Sequence, residues 1–287
     1  MTAPVGPLPP MDRAARLDRV RAAMELAGVD ALFVSKLVNV RWLTGFTGSA
    51  AHLLVTADRL TFVTDGRYGQ QAADQLRAAE VDAELVVSAT PAAAFAAACR
   101  ASSVTCVGGE AEHLTWAAAE RAREWFDGCD LVPTHGLLEA LREAKEPAEV
   151  ARIEAAARIA DTALAEVVPG LADGPTEVEV AVALDSAMRR LGAEEPAFDT
   201  IVASGPNGAL PHHHPSARRI RRGDLVVIDM GATVDGYRSD MTRTIAVGPL
   251  DDTARRLLDV VDRAQAAGVA AVAGGVACRD VDAAARA

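Results

Sequence analysis

The segment Asp224-Leu-Val-Val-Ile-Asp-Met-Gly-Ala-Thr-Val-Asp-Gly-Tyr-Arg-Ser-Asp-Met-Thr-Arg-Thr244 constrains this chain more than any other. Asp235-Gly236 stands between two strand-like runs, and Asp-Gly is a strong two-residue hairpin signal because both loop positions need positive φ. With those two residues as the loop, Val234 faces Tyr237 and, counting back, Gly231 faces Asp240. Asp229 lies two residues along from Gly231, so alternation puts it on the same sheet face as Asp240. Diagonal neighbours on one face sit ~7–8 Å apart at the backbone, within joint reach of one site. A bulge would shift this register.

Asp229 ends the apolar run Leu225-Val-Val-Ile228, where an unpartnered carboxylate is costly. Two carboxylates held together repel unless a metal or a shared proton settles them. Hard oxygen donors suit manganese, cobalt or zinc in a paired centre with the ions ~3.5–4 Å apart. The plainer alternative is one turn-capping Asp and one surface Asp. A second segment, Ile201-Val-Ala-Ser-Gly-Pro-Asn-Gly-Ala-Leu-Pro-His-His-His-Pro215, reads as a turn-rich loop ending in three histidines. Adjacent residues on extended chain point to alternate faces, so the triplet cannot converge on one ion. His212 can donate a hydrogen bond to a substrate or a developing oxyanion. His213 and His214 read as solvated loop, and the basic run Arg218-Arg-Ile-Arg-Arg222 as a solvated lead-in to the next strand.

Around these segments the chain divides in two. Residues 1–11 hold four prolines and read as a disordered lead. Residues 12–140 form an α/β domain. A helix over 12–28 stops at Gly28, a strand covers 30–35, and a hairpin joins 53–56 to 60–64. Helices near 67–78, 91–101 and 112–126 alternate with strands at 84–87 and 104–107. Residues 141–287 form an α+β domain, with an Ala-rich helix entered through Pro147 and a second helix capped at Pro175-Thr176. Strands at 198–203, 225–229 and 241–247 follow, then a helix opening on Asp251-Asp252-Thr253.

The net charge of −11, from 29 basic and 40 acidic residues, argues against nucleic acid, whose phosphates need a basic surface. No apolar run reaches the ~20 residues of a membrane helix. Four cysteines without a CxxC pair fit a reduced, cytoplasmic setting. No GxSxG elbow or Gly-rich phosphate loop supports a nucleophilic hydrolase or a nucleotide binder.

Taken together, these segments resemble the pita-bread metallopeptidases of the Xaa-Pro branch, aminopeptidase P and prolidase. Ile201 to His212 resembles the family's "IVASGxNxAxPH" signature. Asp229-Met-Gly and Ser239-Asp-Met-Thr-Arg-Thr244 resemble its first two metal-ligand segments, and the steps of seventeen and eleven residues from His212 to Asp229 to Asp240 match. Trp42-Leu-Thr-Gly-Phe-Thr-Gly-Ser49 and Thr64-Asp-Gly-Arg-Tyr68 resemble the creatinase-type N-terminal domain. The resemblance implies two divalent metal ions, manganese foremost, with Asp229 a ligand of one and Asp240 bridging both. It implies that His212 stabilises the tetrahedral intermediate and that Thr242 supports Asp229. It further implies a proline-containing peptide as substrate, cleaved before proline with a Glu as general base, and a possible homodimer.

The family's remaining ligands, one His and two Glu, lie downstream of the two Asp. After Asp240 this sequence has neither His nor Glu. The expectation is therefore a catalytic domain incomplete at its C-terminus and a chain inactive as it stands. The alternative is a non-catalytic pita-bread module that binds peptide or protein.

Overall fold

The computed structural model describes residues 6–126 and 128–287. The chain forms two compact units, residues 9–149 and, with the N-terminal lead, residues 150–287. The expected disorder of residues 1–11 falls partly outside the described residues, at 1–5. Residues 6–12 carry no regular secondary structure, and Leu8 packs half-buried against the C-terminal core.

The N-terminal unit runs α1 (Arg13–Ala27), β1 (Ala31–Val34), α2 (Leu37–Thr44), β2 (Ala51–Thr56), β3 (Leu60–Thr64), α3 (Gly69–Ala78), β4 (Glu84–Val87), α4 (Ala92–Ala101), β5 (Cys106–Glu110), α5 (Trp116–Trp125), β6 (Asp130–Thr134) and α6 (Leu137–Glu143). Gly28 ends α1 at φ 68, returning its N–H to Glu25 and Met24, a backbone region open to glycine at little cost. The six strands form one mixed sheet, ordered β4-β3-β2-β1-β5-β6. Central strand β1 is buried on both faces. Leu32 and Val34 enter one apolar cluster, and Ala31 and Phe33 enter the other. In the second, Phe33 meets Phe95, Phe126 and Trp125 edge-on.

The C-terminal unit runs α7 (Pro147–Val167), which starts in the first unit, α8 (Glu177–Arg190), β7 (Ile201–Ser204), β8 (Leu225–Met230), β9 (Thr233–Val234), β10 (Tyr237–Arg238), β11 (Met241–Ala246), α9 (Asp252–Ala271) and α10 (Cys278–Arg286), with 3-10 turns at Val168–Asp173 and Gly205–Ala209. Pro147 opens α7 as expected. Helix α8 starts on a capping box, with Thr176 and Glu179 each bonding the other's backbone N–H. The sheet is β11-β8-β7, all antiparallel. Alternation along β8 sends Val226, Ile228 and Met230 into the core. There they meet Ile159 and a stripe of alanines (Ala155, Ala156, Ala160, Ala163) from α7. Leu225, Val227 and Asp229 take the opposite, more open face.

The mixed α/β unit followed by an α+β unit agrees with the sequence reading. Several elements differ from it. Helices α2 and α6 and strand β6 were not expected, β5 starts two residues later than the strand read at 104–107, and β7 starts three residues later than the strand read at 198–203. No helix among the described residues is long and apolar enough to cross a membrane.

Candidate metal centre

Asp235 and Gly236 both adopt positive φ, 48° and 77°, the conformation of a two-residue type I′ turn. Buried Arg152 on α7 holds the turn through its Nε, 2.6 Å from Asp235 Oδ2. Beyond the turn the register runs without a bulge. Tyr237 pairs with Val234, Arg238 with Thr233, Met241 with Met230 and Thr242 with Asp229. Between the two ladders, Ser239 exchanges with Ala232. Its N–H donates to the Ala232 carbonyl at 3.0 Å, and its Oγ accepts from the Ala232 N–H at 3.0 Å. Gly231 lies opposite Asp240, and a Cβ there would stand 1.9 Å from the Ser239 carbonyl oxygen.

The hairpin therefore puts Asp229 and Asp240 on one face as diagonal neighbours, roughly 7–8 Å apart at the backbone. Thr242 Oγ1 donates to Asp229 Oδ1 at 2.7 Å, which fixes the orientation of that carboxylate. Asp229 is half-buried and Asp240 is exposed. The apolar run before Asp229 is thus two-faced, and the carboxylate is not enclosed in hydrocarbon. Both aspartates line a cleft of about 360 Å³, together with residues 198–201 and with His212, His213 and His214. That volume lies within the range of small-ligand sites. Asp229, Asp240, Thr242 and His212 are thereby brought to one face or one cleft.

Two carboxylates on one face, one of them held by a hydroxyl, fit a hard divalent cation as part of its shell. Among the described residues, no group of three or more His, Cys, Asp or Glu side chains gathers as a metal site. Of the carboxylates that line the cleft, Asp229 and Asp240 share the hairpin face and Asp199 stands on the segment before β7.

In the histidine loop His214 is exposed, as read from sequence, and His213 is not. His213 is mostly covered, and its Nε2 lies 2.9 Å from Oε2 of Glu177. Glu177, the first residue of α8, is fully buried and was not singled out by the sequence. Its Oε1 accepts from the Ser204 N–H and Oγ, both at 2.7 Å, and from Asn207 Nδ2 at 2.9 Å. Its Oε2 accepts from the Ser216 N–H at 3.0 Å and Oγ at 2.6 Å. Burial pushes the Glu177 carboxyl up. The hydrogen bonds from Ser216, Ser204, His213 and Asn207 outweigh it and hold the group well below the ordinary glutamate range. Arg218 is likewise no solvated lead-in. It pairs with Asp224 and donates from Nη1 to Ser204 Oγ at 2.5 Å. An acid in the first turn of a helix resembles a solvated partner of the helix dipole. The signal that could have found Glu177 is the cluster of short polar donors, Ser204, Asn207 and Ser216, on either side of the histidines.

Residues 151–287 match the model of metallopeptidase family M24, and residues 16–144 match the creatinase/prolidase N-terminal domain. An uncharacterized peptidase of Bacillus subtilis is 35% identical over 93% of this chain and 75% of its own length. A Xaa-Pro dipeptidase of Pyrococcus furiosus is 32% identical over 94% of this chain and 76% of its own. The solved structure of a Xaa-Pro dipeptidase from Bacillus anthracis superposes with a TM-score of 0.90 at 35% identity, covering 96% of this chain and 76% of that one. Family models over both units, relatives of this identity and a shared fold lead to one conclusion: the chain belongs to metallopeptidase family M24, in its Xaa-Pro peptidase branch, with a creatinase/prolidase N-terminal domain.

Proposed function

We propose that this protein hydrolyses the peptide bond between an N-terminal residue and proline. The observation that carries this reading is the arrival of Asp229, Asp240 and His212 at one cleft of dipeptide size. The names of its relatives, Xaa-Pro dipeptidases among them, supply the substrate class. Asp229 and Asp240 would hold the divalent metal. With two ions, Asp240 would be the shared ligand and Asp229 the ligand of one. Oxygen donors favour manganese, and when bound the metal supplies Lewis-acid polarisation of the scissile carbonyl.

The chain's own groups do the rest. Thr242 keeps Asp229 turned toward the site. His212, lining the same cleft, donates a hydrogen bond to the carbonyl oxygen as negative charge develops there. Asp199, on the same cleft, adds a carboxylate that draws in the free ammonium of a short peptide, which suits an enzyme working at an N-terminus.

The small donor set among the described residues favours a second reading, a module that binds proline-containing peptides without cleaving them. Proline release from Ala-Pro, measured on the protein expressed from its gene with and without manganese, separates the two. The peptidase reading expects metal-dependent release that falls by about 10²-fold or more in Asp240→Asn. Calorimetric binding of Ala-Pro with no release supports the binding module. Equal turnover of Ala-Pro and Ala-Ala would remove proline from the substrate class.

A further inference from the structure

We infer that Glu177 is a positioning residue: its buried carboxylate gathers the loop from Ser204 to Ser216 and so fixes His212 against the cleft.

The loop's own backbone bonds close only short turns, from the Leu210 N–H to the Asn207 carbonyl and from the His213 N–H to the Leu210 carbonyl. From the end of β7 it passes through the 3-10 turn Gly205–Ala209 and the His triplet, and His212 and His214 are both exposed. Its polar donors converge on one acceptor instead. Ser204 and Asn207 meet Oε1 at the start of the loop, and His213 and Ser216 meet Oε2 at its end. The helix backbone adds to the clamp, since the Glu177 N–H donates to the Arg218 carbonyl and the Val178 N–H to that of Ser216. A carboxylate held ionised accepts only, so His213 must present Nε2–H to it. That fixes the ring of His213, and the turn that the His213 N–H closes on the Leu210 carbonyl at 3.2 Å carries His212, so His212 is held with it. The outer ring closes the arrangement. Arg218 donates to Ser204 Oγ, leaving that hydroxyl's own proton for Glu177, and Asp224 holds Arg218.

A charged acceptor is required because every group around it donates. Glutamine would keep one acceptor oxygen and set an NH₂ against N–H and O–H donors, leaving buried groups unpaired. The loop would lose its fixed path while the hairpin carrying Asp229 and Asp240, with its separate ladder and turn, stayed in register.

The catalytic arm of this inference rests on the peptidase reading above, and the spectroscopic arm does not. In Glu177→Gln, the Ser204 and Ser216 amides should exchange with solvent at least about tenfold faster. The His213 Nε2–H resonance should disappear, His212 imidazole resonances should move, and the amides of β8 and β11 should exchange as in the parent. On Ala-Pro, kcat should fall about 10²-fold with KM changed less than about threefold. In a His212→Ala background the same change should cost less than about threefold, because Glu177 acts through His212. Where Glu177→Gln fails to fold, Ser216→Ala removes one hydroxyl donor and should move the same signals in the same direction by less. Unchanged Ser204 and Ser216 exchange, or an undiminished kcat loss in the His212→Ala background, would overturn the inference. If the parent releases no proline, the peptidase reading falls alone. The His212 resonances then decide, and their standing still in Glu177→Gln overturns the positioning role.

Discussion

Asp229 and Glu177 show two ways of placing a carboxylate in a folded chain. Asp229 stays near water and takes one hydroxyl, from Thr242. Glu177 is fully buried and relies wholly on donors. The two were unequally legible. Asp229, Asp240 and Thr242 follow from period-two alternation counted from one turn, so the place of Asp235-Gly236 fixes their common face. Glu177 depends on donors up to 39 residues away, and no local pattern shows that they converge. Its charge has a pH signature. The folded-state value lies below the ordinary 4.5, so the unfolded chain binds the proton more readily. The stabilisation is then fully present above about pH 5 and is lost as pH falls from 4.5 through the lower folded value. Urea unfolding of the parent and of Glu177→Gln should differ by about 3 kcal/mol at neutral pH. That gap should narrow by pH 3, once the unfolded glutamate is protonated. A gap that held constant, or grew, on acidification would mean that the charge of Glu177 is not what holds the loop.

Among the elements, the hairpin was read to the residue because Asp235-Gly236 names its own turn type and no bulge intervenes. The elements that escaped lack such a mark. Helix α2 is eight residues, mostly buried and without a clear polar face, so it shows no 3.6-residue contrast. Strand β6 contains Pro133, and β5 contains Gly108 and Gly109, residues that argue against a strand. Yet β6 is a sheet edge, where a proline is tolerated, and the bare glycines admit close neighbours, with Thr134 and Leu114 packed against them. Gly231 belongs to the same class of close approach. Its constraint is space, since a Cβ would meet the Ser239 carbonyl oxygen at 1.9 Å and Ala197 Cβ at 3.0 Å. Both neighbours are tied in place, Ser239 to Ala232 and the Ala197 N–H to the Gly231 carbonyl. Gly231→Ala must therefore push the two halves of the hairpin apart between Asp229 and Asp240. It should destabilise by about 1–3 kcal/mol or more and weaken manganese binding in the same variant, measured by thermal melting and calorimetry. Parent-like stability would mean that the strands can separate there without cost, and the fixed spacing of the two aspartates would lose its support.

For the whole molecule, the location of metal binding is the claim most open to confusion. A chain of net charge −11 with 40 carboxylates collects divalent ions weakly over its whole surface, so a binding isotherm alone says little about a site. The division into two units offers a sharper criterion. Each has its own sheet and its own buried clusters, so a ligand specific to the Asp229–Asp240 face stabilises the unit that bears it. Linkage sets the size of the effect, about 2.7 kcal/mol at a metal concentration of 100 times Kd. Hydrogen exchange resolves where that energy goes, because it reports local opening segment by segment. Manganese should slow exchange in β7, β8 and β11 and in the loop bearing His212, and leave β1 to β6 unchanged. Asp240→Asn should abolish the local slowing while keeping any diffuse, salt-sensitive component, since it removes one charge from the surface but one of the two hairpin donors from the site. Slowing spread over both units, or slowing that survives Asp240→Asn, would assign the bound ion to the acidic surface. The two aspartates would then be a charged face of the hairpin, and the binding-module reading would take the place of the peptidase.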